Sequence, residues 1–141
     1  VESHITSADI FIGVAAVSDY RPVEASRKKL KKGQETIRLD LIRNPDILAS
    51  VAARTDGPFT VGFAAETQEL LRYAQDKLNR KDLDLVVAND VSRKDAGFGT
   101  DTNAVTLVSQ SGTRELEVAS KDTIAHAILD EIIVIIQAKG T

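Results

Sequence analysis

The 141-residue sequence contains no cysteine and no methionine. The first absence excludes disulfides, thiolate zinc sites, cysteine nucleophiles and redox chemistry by the protein's own side chains. The second extends to position 1, where a translated chain begins with methionine, so these residues are expected to be a piece of a longer chain. The apolar run near the end, Ile132 to Ile136, falls far short of the roughly 18 consecutive residues a membrane span needs. No charged-then-apolar signal segment opens the chain either, so a cytoplasmic protein without membrane contact is expected. Positive charge is in deficit: 18 Lys and Arg face 21 Asp and Glu, for a formal net charge of -3. That balance argues against a general nucleic-acid binder.

Several catalytic signatures are missing as well. There is no Gly-Lys-Ser/Thr of a Walker loop and no G-x-S-x-G nucleophile elbow. His4 and His126 are far apart, without metal-ligand spacing, and no metal-binding residues are assigned. "GFGTDT" has the first two glycines of a dinucleotide fingerprint but not the third. It follows a polar loop rather than a strand and reads as a turn.

What is present suits one α/β domain over residues 1–141, with 43% hydrophobic residues to build a single core. "IFIGVAAV" (10–17), "FTVGFAAE" and "LDLVVAND" are continuous apolar runs of strand length, as expected of strands covered on both faces. Between the last two, "ETQELLRYAQDKLNRK" predicts a helix with Leu70, Leu71, Ala74 and Leu78 on one face. The alternation predicts parallel β-α-β order. "TIRLDLI" alternates from Ile37 to Leu41 as an edge strand would, and in "NPDILASVAAR" Asn44 is placed to cap a helix that begins at Pro45. "AVTLVSQSGTRELEVA" reads as a hairpin around Gln110-Ser111-Gly112, and "KDTIAHAILDEIIVIIQAKG" as a helix that must pack on a sheet or another subunit.

In open parallel sheets ligands bind beyond the carboxyl ends of the strands. The three apolar runs are followed there by Ser18-Asp19-Tyr20-Arg21, Glu66-Thr67 and Asn89-Asp90. Turn and cap chemistry accounts for any one of these; their coincidence points to a ligand rim. The stretch "RPVEASRKKLKKGQ" adds five cations, Arg27, Lys28, Lys29, Lys31 and Lys32. Three readings stay open for it: a solvated cluster, a nucleic-acid contact disfavoured by the acidic background, and a loop that folds over a polyanionic small molecule.

The ordered set "AAVSDYRP", "KLKK", "NPDIL", "VGFAAET", "KLNRKDLDLVVANDVS" and "GFGTDTNAVTLV" resembles the phosphopantothenoylcysteine synthetase domain of bacterial coenzyme A biosynthesis flavoproteins, over nearly the whole chain. The resemblance implies a Rossmann-like, three-layer α/β/α sandwich with a mainly parallel central sheet and a C-terminal β-hairpin plus helix. It implies a ligase that joins 4'-phosphopantothenate to L-cysteine at the expense of CTP, through an acyl-cytidylate, with Mg2+ on the triphosphate. A homodimer is implied too. So is a covalently linked decarboxylase domain carrying FMN, which is absent from this sequence, as are the family's first β-α segment and its glycine-rich phosphate turn.

Carried over motif by motif, Gly13, Val14, Ala15 and Asp19 would contact CTP, and Lys29 would reach it from a flap as the catalytic lysine. Pro45, Asp46, Ile47 and Leu48 would border the nucleotide, Phe63 would flank it, and Lys77 and Lys81 would face the phosphates. These two lysines are four apart and so share a helical face. Without the resemblance, Phe63 reads as core, both lysines as a solvated face, and Asp46 as a first-turn acid favoured by the helix dipole. Two rival functions stand beside the ligase. One is a non-catalytic nucleotide-binding or regulatory Rossmann-like domain; the other is an NAD-type oxidoreductase domain, weakened by the incomplete glycine fingerprint.

Overall fold

Four consecutive residues, Leu85 to Ala88, are completely shielded from solvent, and the fold is arranged around them. They belong to β5 (Leu85–Asp90) at the centre of a five-stranded sheet of order β1-β4-β5-β6-β7. The computed structural model describes residues 1, 3–24, 35–92 and 100–140. Its described chain divides into two compact units, Val1–Val14 with Ile47–Thr141, and Ala15–Asp46.

In the first unit, β1 (Ile10–Gly13), β4 (Phe59–Glu66) and β5 run parallel. β6 (Thr102–Ser109) pairs antiparallel with β5, and β7 (Gly112–Ser120) antiparallel with β6, so only β6 opposes the common direction. The last two strands form the expected hairpin. Gly112 takes φ +137°, and Ser109 pairs with it directly, leaving Gln110 and Ser111 as the loop. Opposite Asn103 to Val105, β7 accommodates one extra residue, the signature of a bulge.

Strand alternation sends successive side chains to opposite faces. Val61, Leu85, Val87, Val105 and Leu107 meet Ile124, Ile128, Ile132 and Ile135 of α3 (Lys121–Lys139). Ala64, Val86, Ala88 and Val108 meet Ala74 and Leu78 of α2 (Leu70–Lys81), with Leu48 and Ala52 of α1 (Ile47–Ala52) packed beside them. Helices on both faces of the sheet make the three-layer α/β/α arrangement.

The helix ends follow local chemistry. Ser120 Oγ accepts from Thr123 N–H at 3.1 Å, capping α3, with Asp122 in the first turn and Lys139 in the last as the macrodipole favours. α2 stops in a left-handed Asp82 (φ 52°), where the Asp82 and Leu83 N–H groups donate back to Asn79 and Leu78 carbonyls. This is the paired closure of a Schellman turn, sealed here by buried Leu83. Below it, at the start of β5, the Asp84 carboxylate accepts from Thr60 N–H (2.6 Å), from Thr60 Oγ1 (3.0 Å) and from Lys139 Nζ. One acid thereby ties β4, β5 and the end of α3 together.

In the second unit, β2 (Tyr20–Pro22) and β3 (Leu41–Arg43) pair antiparallel. Four expectations change here. The apolar run 10–17 is a strand only as far as Gly13, and among the described residues Val14 and Val17 are mostly exposed. The alternating run 37–41 contributes only Leu41 to a strand, with Ile37 and Leu39 likewise exposed among the described residues. Asn44 does not cap a helix: α1 begins at Ile47, and the Asn44 side chain is engaged by Arg21 Nη1 (2.8 Å) and the Ser18 carbonyl (2.7 Å). Leu71 turns outward from α2, as the helical arc reaching the sheet is filled by Leu70, Ala74 and Leu78.

Two measurements check this account. Leu78→Ala opens a void in a fully enclosed site, and should lower unfolding free energy by about 2–5 kcal/mol in denaturant titration. On α3, His126 Nδ1–H donates to the Asp122 carbonyl at 2.9 Å, with the Asp122 carboxylate 3.7 Å away. The backbone bond first, then the charges of Asp122 and Asp130, raise the imidazole pKa above its ordinary value. The small stabilisation from the protonated ring is therefore complete at pH below about 6.5 and is lost as pH rises through the raised folded value. An NMR titration should give a midpoint above the ordinary one, moved back down by Asp122→Asn.

Candidate functional site

At the carboxyl end of the sheet, Glu66 and Asp90 are register partners on β4 and β5, and Ala65 pairs with Asn89. The Asp90 carboxylate accepts from Ser92 N–H (2.9 Å) and Ser92 Oγ (2.6 Å), which is turn chemistry of the ordinary kind. Asn89 Oδ1 is buried without a hydrogen-bond partner among the described residues. The turn into α2 places Glu69 in the left-handed region (φ 48°) with its carboxylate 2.6 Å from Arg72. Ser18 and Asp19, also expected at this rim, belong to the second unit.

Among the candidate residues of the first unit, two glycines leave room for side chains packed on one face of the sheet. Gly13 and Gly62 face each other across β1 and β4 as register partners. Leu48, from the first turn of α1, fills the space above both. A Cβ on Gly13 would stand 3.3 Å from Leu48 Cδ1, and one on Gly62 would stand 2.8 Å from Leu48 Cδ2. The same Cβ on Gly62 would stand 2.9 Å from Leu83 Cδ1 and 3.7 Å from Lys77 Cε.

Lys77, half-buried on α2, passes over Gly62 and donates from Nζ to the Phe63 carbonyl at 2.5 Å. Its stem packs while its ammonium ends on a backbone acceptor, the usual disposition of a partly buried lysine. The Phe63 ring packs against the cluster under α3, on the sheet face opposite Leu48. Lys81 is the last residue of α2, one turn beyond Lys77. The structure thus brings Gly13, Leu48, the Phe63 carbonyl and Lys77 together, with Val14 and Ile47 adjoining them in sequence.

The second unit holds Ala15, Asp19, Pro45 and Asp46, all exposed. The Asp19 carbonyl accepts from Asn44 N–H at 2.7 Å, Arg21 Nη1 also donates to the Arg43 carbonyl (3.3 Å), and the Arg43 guanidinium lies 5.9 Å from the centroid of the Tyr20 ring. Asn44 fixes the backbone on which Asp19 stands. Lys29 and the other four cations of the basic run lie outside the described residues.

Sequence reading missed two features. One is Gly62, which looks like any glycine in an apolar strand until its neighbours are known. The other is a cavity of about 510 Å³ lined by Leu70, Asp90, Thr106, Glu115, Glu117 and Val118, where β6 and β7 extend beyond α2. Among the described residues three carboxylates and no cation line it, a lining that opposes a polyanion. The alternation of Glu115 and Glu117 was the only trace of it in the sequence. Among the described residues no group of three metal-ligating side chains occurs.

Comparison with known proteins adds a second line of information. The family model of the DNA/pantothenate metabolism flavoprotein C-terminal domain matches residues 1–135. The coenzyme A biosynthesis bifunctional protein CoaBC of Vibrio cholerae is 48% identical over 132 residues, which cover 92% of this chain and 33% of that protein. That of Escherichia coli is 44% identical over 138 residues, covering 94% and 34%. The chain thus spans about a third of the length of the curated relatives it matches. The crystal structure of the C-terminal domain of a CoaBC protein superposes with a TM-score of 0.75 at 30% identity, covering 97% of this chain and 59% of that one. The DNA/pantothenate metabolism flavoprotein from Streptococcus pneumoniae, at 24% identity and a TM-score of 0.72 over 95% of this chain and 64% of that one, shares the fold.

Proposed function

The chain belongs to the family of DNA/pantothenate metabolism flavoprotein C-terminal domains, and from that we propose that it carries the CTP-binding part of a ligase that joins 4'-phosphopantothenate to L-cysteine. The observation that carries this reading is the 48% identity, over nearly the whole chain, to a protein named for coenzyme A biosynthesis. The Lys77 geometry supports it.

In this reading Gly13, Val14, Ile47, Leu48, Lys77 and Lys81 of the first unit contact the nucleotide, while Phe63, whose ring packs under α3 on the opposite sheet face, is assigned to it by resemblance alone. Ala15, Asp19, Pro45 and Asp46 of the second unit, and Lys29, are assigned to it by resemblance. The carboxylate of phosphopantothenate attacks the α-phosphorus of CTP, the bond to pyrophosphate breaks, and an acyl-cytidylate forms. The amine of cysteine then attacks the acyl carbon, CMP departs, and the amide is left.

Phosphoryl transfer of this kind asks the protein for positioning and charge stabilisation rather than a covalent partner. A lysine held on a backbone carbonyl is suited to that, since its position is set before the ligand arrives. Mg2+ would neutralise charge on the triphosphate. A donor set short of three ligating side chains among the described residues suits an ion held largely by phosphate and water, as Mg2+ commonly is. The wider assembly belongs to the same proposal: a cytoplasmic homodimer, with an FMN-dependent decarboxylase linked to it in the full-length chain.

Isothermal titration of Mg·CTP into the full-length protein, beside ATP and NAD, tests the nucleotide. A preference for CTP is expected, and its absence would sink the reading. Lys29→Gln should slow formation of the acyl-cytidylate by about a hundredfold, as loss of one charge-stabilising donor does, with the unfolding transition unchanged. Unaltered turnover would remove Lys29 from the catalytic role. CTP binding with no ligation in the wild-type protein would point instead to a regulatory nucleotide-binding domain.

A further inference from the structure

Gly62 has no role assigned by the motifs, yet three elements meet over it. Leu48 comes from α1, Lys77 from α2 and Leu83 from the turn that follows α2. Gly62 is not there for backbone freedom, since Gly112 is the one glycine with positive φ among the described residues. Any residue could adopt its strand conformation. What Gly62 supplies is the absence of a side chain at a point where two leucine methyl groups would come within 3 Å of one. Such separations do not occur between packed carbons, whose optimal contact is about 3.5–4.0 Å.

We infer that Gly62 is a positioning residue of the nucleotide site: it seats Leu48, and with it the first turn of α1, against the sheet beside the Lys77 stem, whose ammonium ends on the adjacent Phe63 carbonyl. The inference rests on the nucleotide reading above. Gly13 shares the seat less strictly, with its missing Cβ 3.3 Å from Leu48 Cδ1 against 2.8 Å at Gly62. Gly62 acts on the site through α1, since a Cβ there would leave Lys77 Cε at an ordinary contact distance of 3.7 Å. The two leucine atoms are the ends of flexible side chains, so an added methyl displaces them without dismantling the sheet. Displacing Leu83 affects the buried layer under α2, whereas displacing Leu48 moves the first turn of α1. The two consequences are separable, one in stability and one in ligand affinity.

The test is calorimetric titration of Mg·CTP into full-length wild type, Gly62→Ala, Leu48→Ala and the double variant, with denaturant unfolding of each. Gly62→Ala should weaken CTP binding by about tenfold, the equivalent of about 1.4 kcal/mol. In the Leu48→Ala background, where the methyl has room, the same substitution should cost about twofold or less, the non-additivity expected of contacting residues. If Gly62→Ala alone does not fold, the measurement is made on Gly62→Ala with Leu83→Ala, which removes the buried clash and retains the one with Leu48. A Gly62→Ala protein with a lowered unfolding midpoint but wild-type CTP affinity would make Gly62 purely structural and overturn the inference. An equal loss of affinity with and without Leu48 would overturn it as well. Failure of the wild-type protein to bind CTP would be a different result, since it removes the nucleotide reading itself.

Discussion

A parallel strand at the centre of a sheet must be covered on both faces, and β5 imposes that requirement on its surroundings. Leu85, Val86, Val87 and Ala88 are wholly enclosed, two pointing to the α3 layer and two to the α1 and α2 layer. With its backbone engaged by β4 on one side and β6 on the other, this strand leaves no freedom in where the helices lie. The Asp84 carboxylate fixes its beginning by joining Thr60 and Lys139. Once β5 is placed, the end of β4 is placed with it, and with β4 the pair of glycines that receives Leu48.

Covering the strands is what the composition advertises most clearly. Runs such as "LDLVVAND" have no polar side to turn outward, and the hairpin and α3 announce themselves by Gly112 and by the isoleucine spacing. The misplaced expectations share a cause: each concerned residues whose partners are distant in sequence. Val14 to Val17 has the composition of a strand, yet among the described residues Val14 and Val17 are mostly exposed. Asn44 has the chemistry of a cap, yet Arg21 and Ser18 engage it first. Local propensity describes what a residue offers, and tertiary contacts decide which offer is taken up.

The candidate site divides along the same line. Lys77 and Lys81 were legible as a shared helical face and Leu48 as part of a motif, but Gly62 was not. A glycine in a strand signals a bulge or a close approach without saying of what. Only the positions of Leu48 Cδ2 and Leu83 Cδ1 turn that ambiguity into a specific spatial need. The αL backbone at Asp82 escaped for a related reason, since the Schellman closure uses an aspartate where glycine is the commoner signal.

Charge is also sorted within the first unit. The cavity beside β6 and β7 is lined by Asp90, Glu115 and Glu117, while Lys77 packs beside Gly62 and ends on the Phe63 carbonyl. For a polyanion these are opposite environments. The carboxylate-lined cavity would add repulsion to the cost of stripping water from the ligand, whereas the lysine offsets that cost where it is incurred. In the proposed reading, the place that matches a triphosphate is set by charge rather than by cavity size: a lysine held on a backbone carbonyl, in a chain whose net charge is negative.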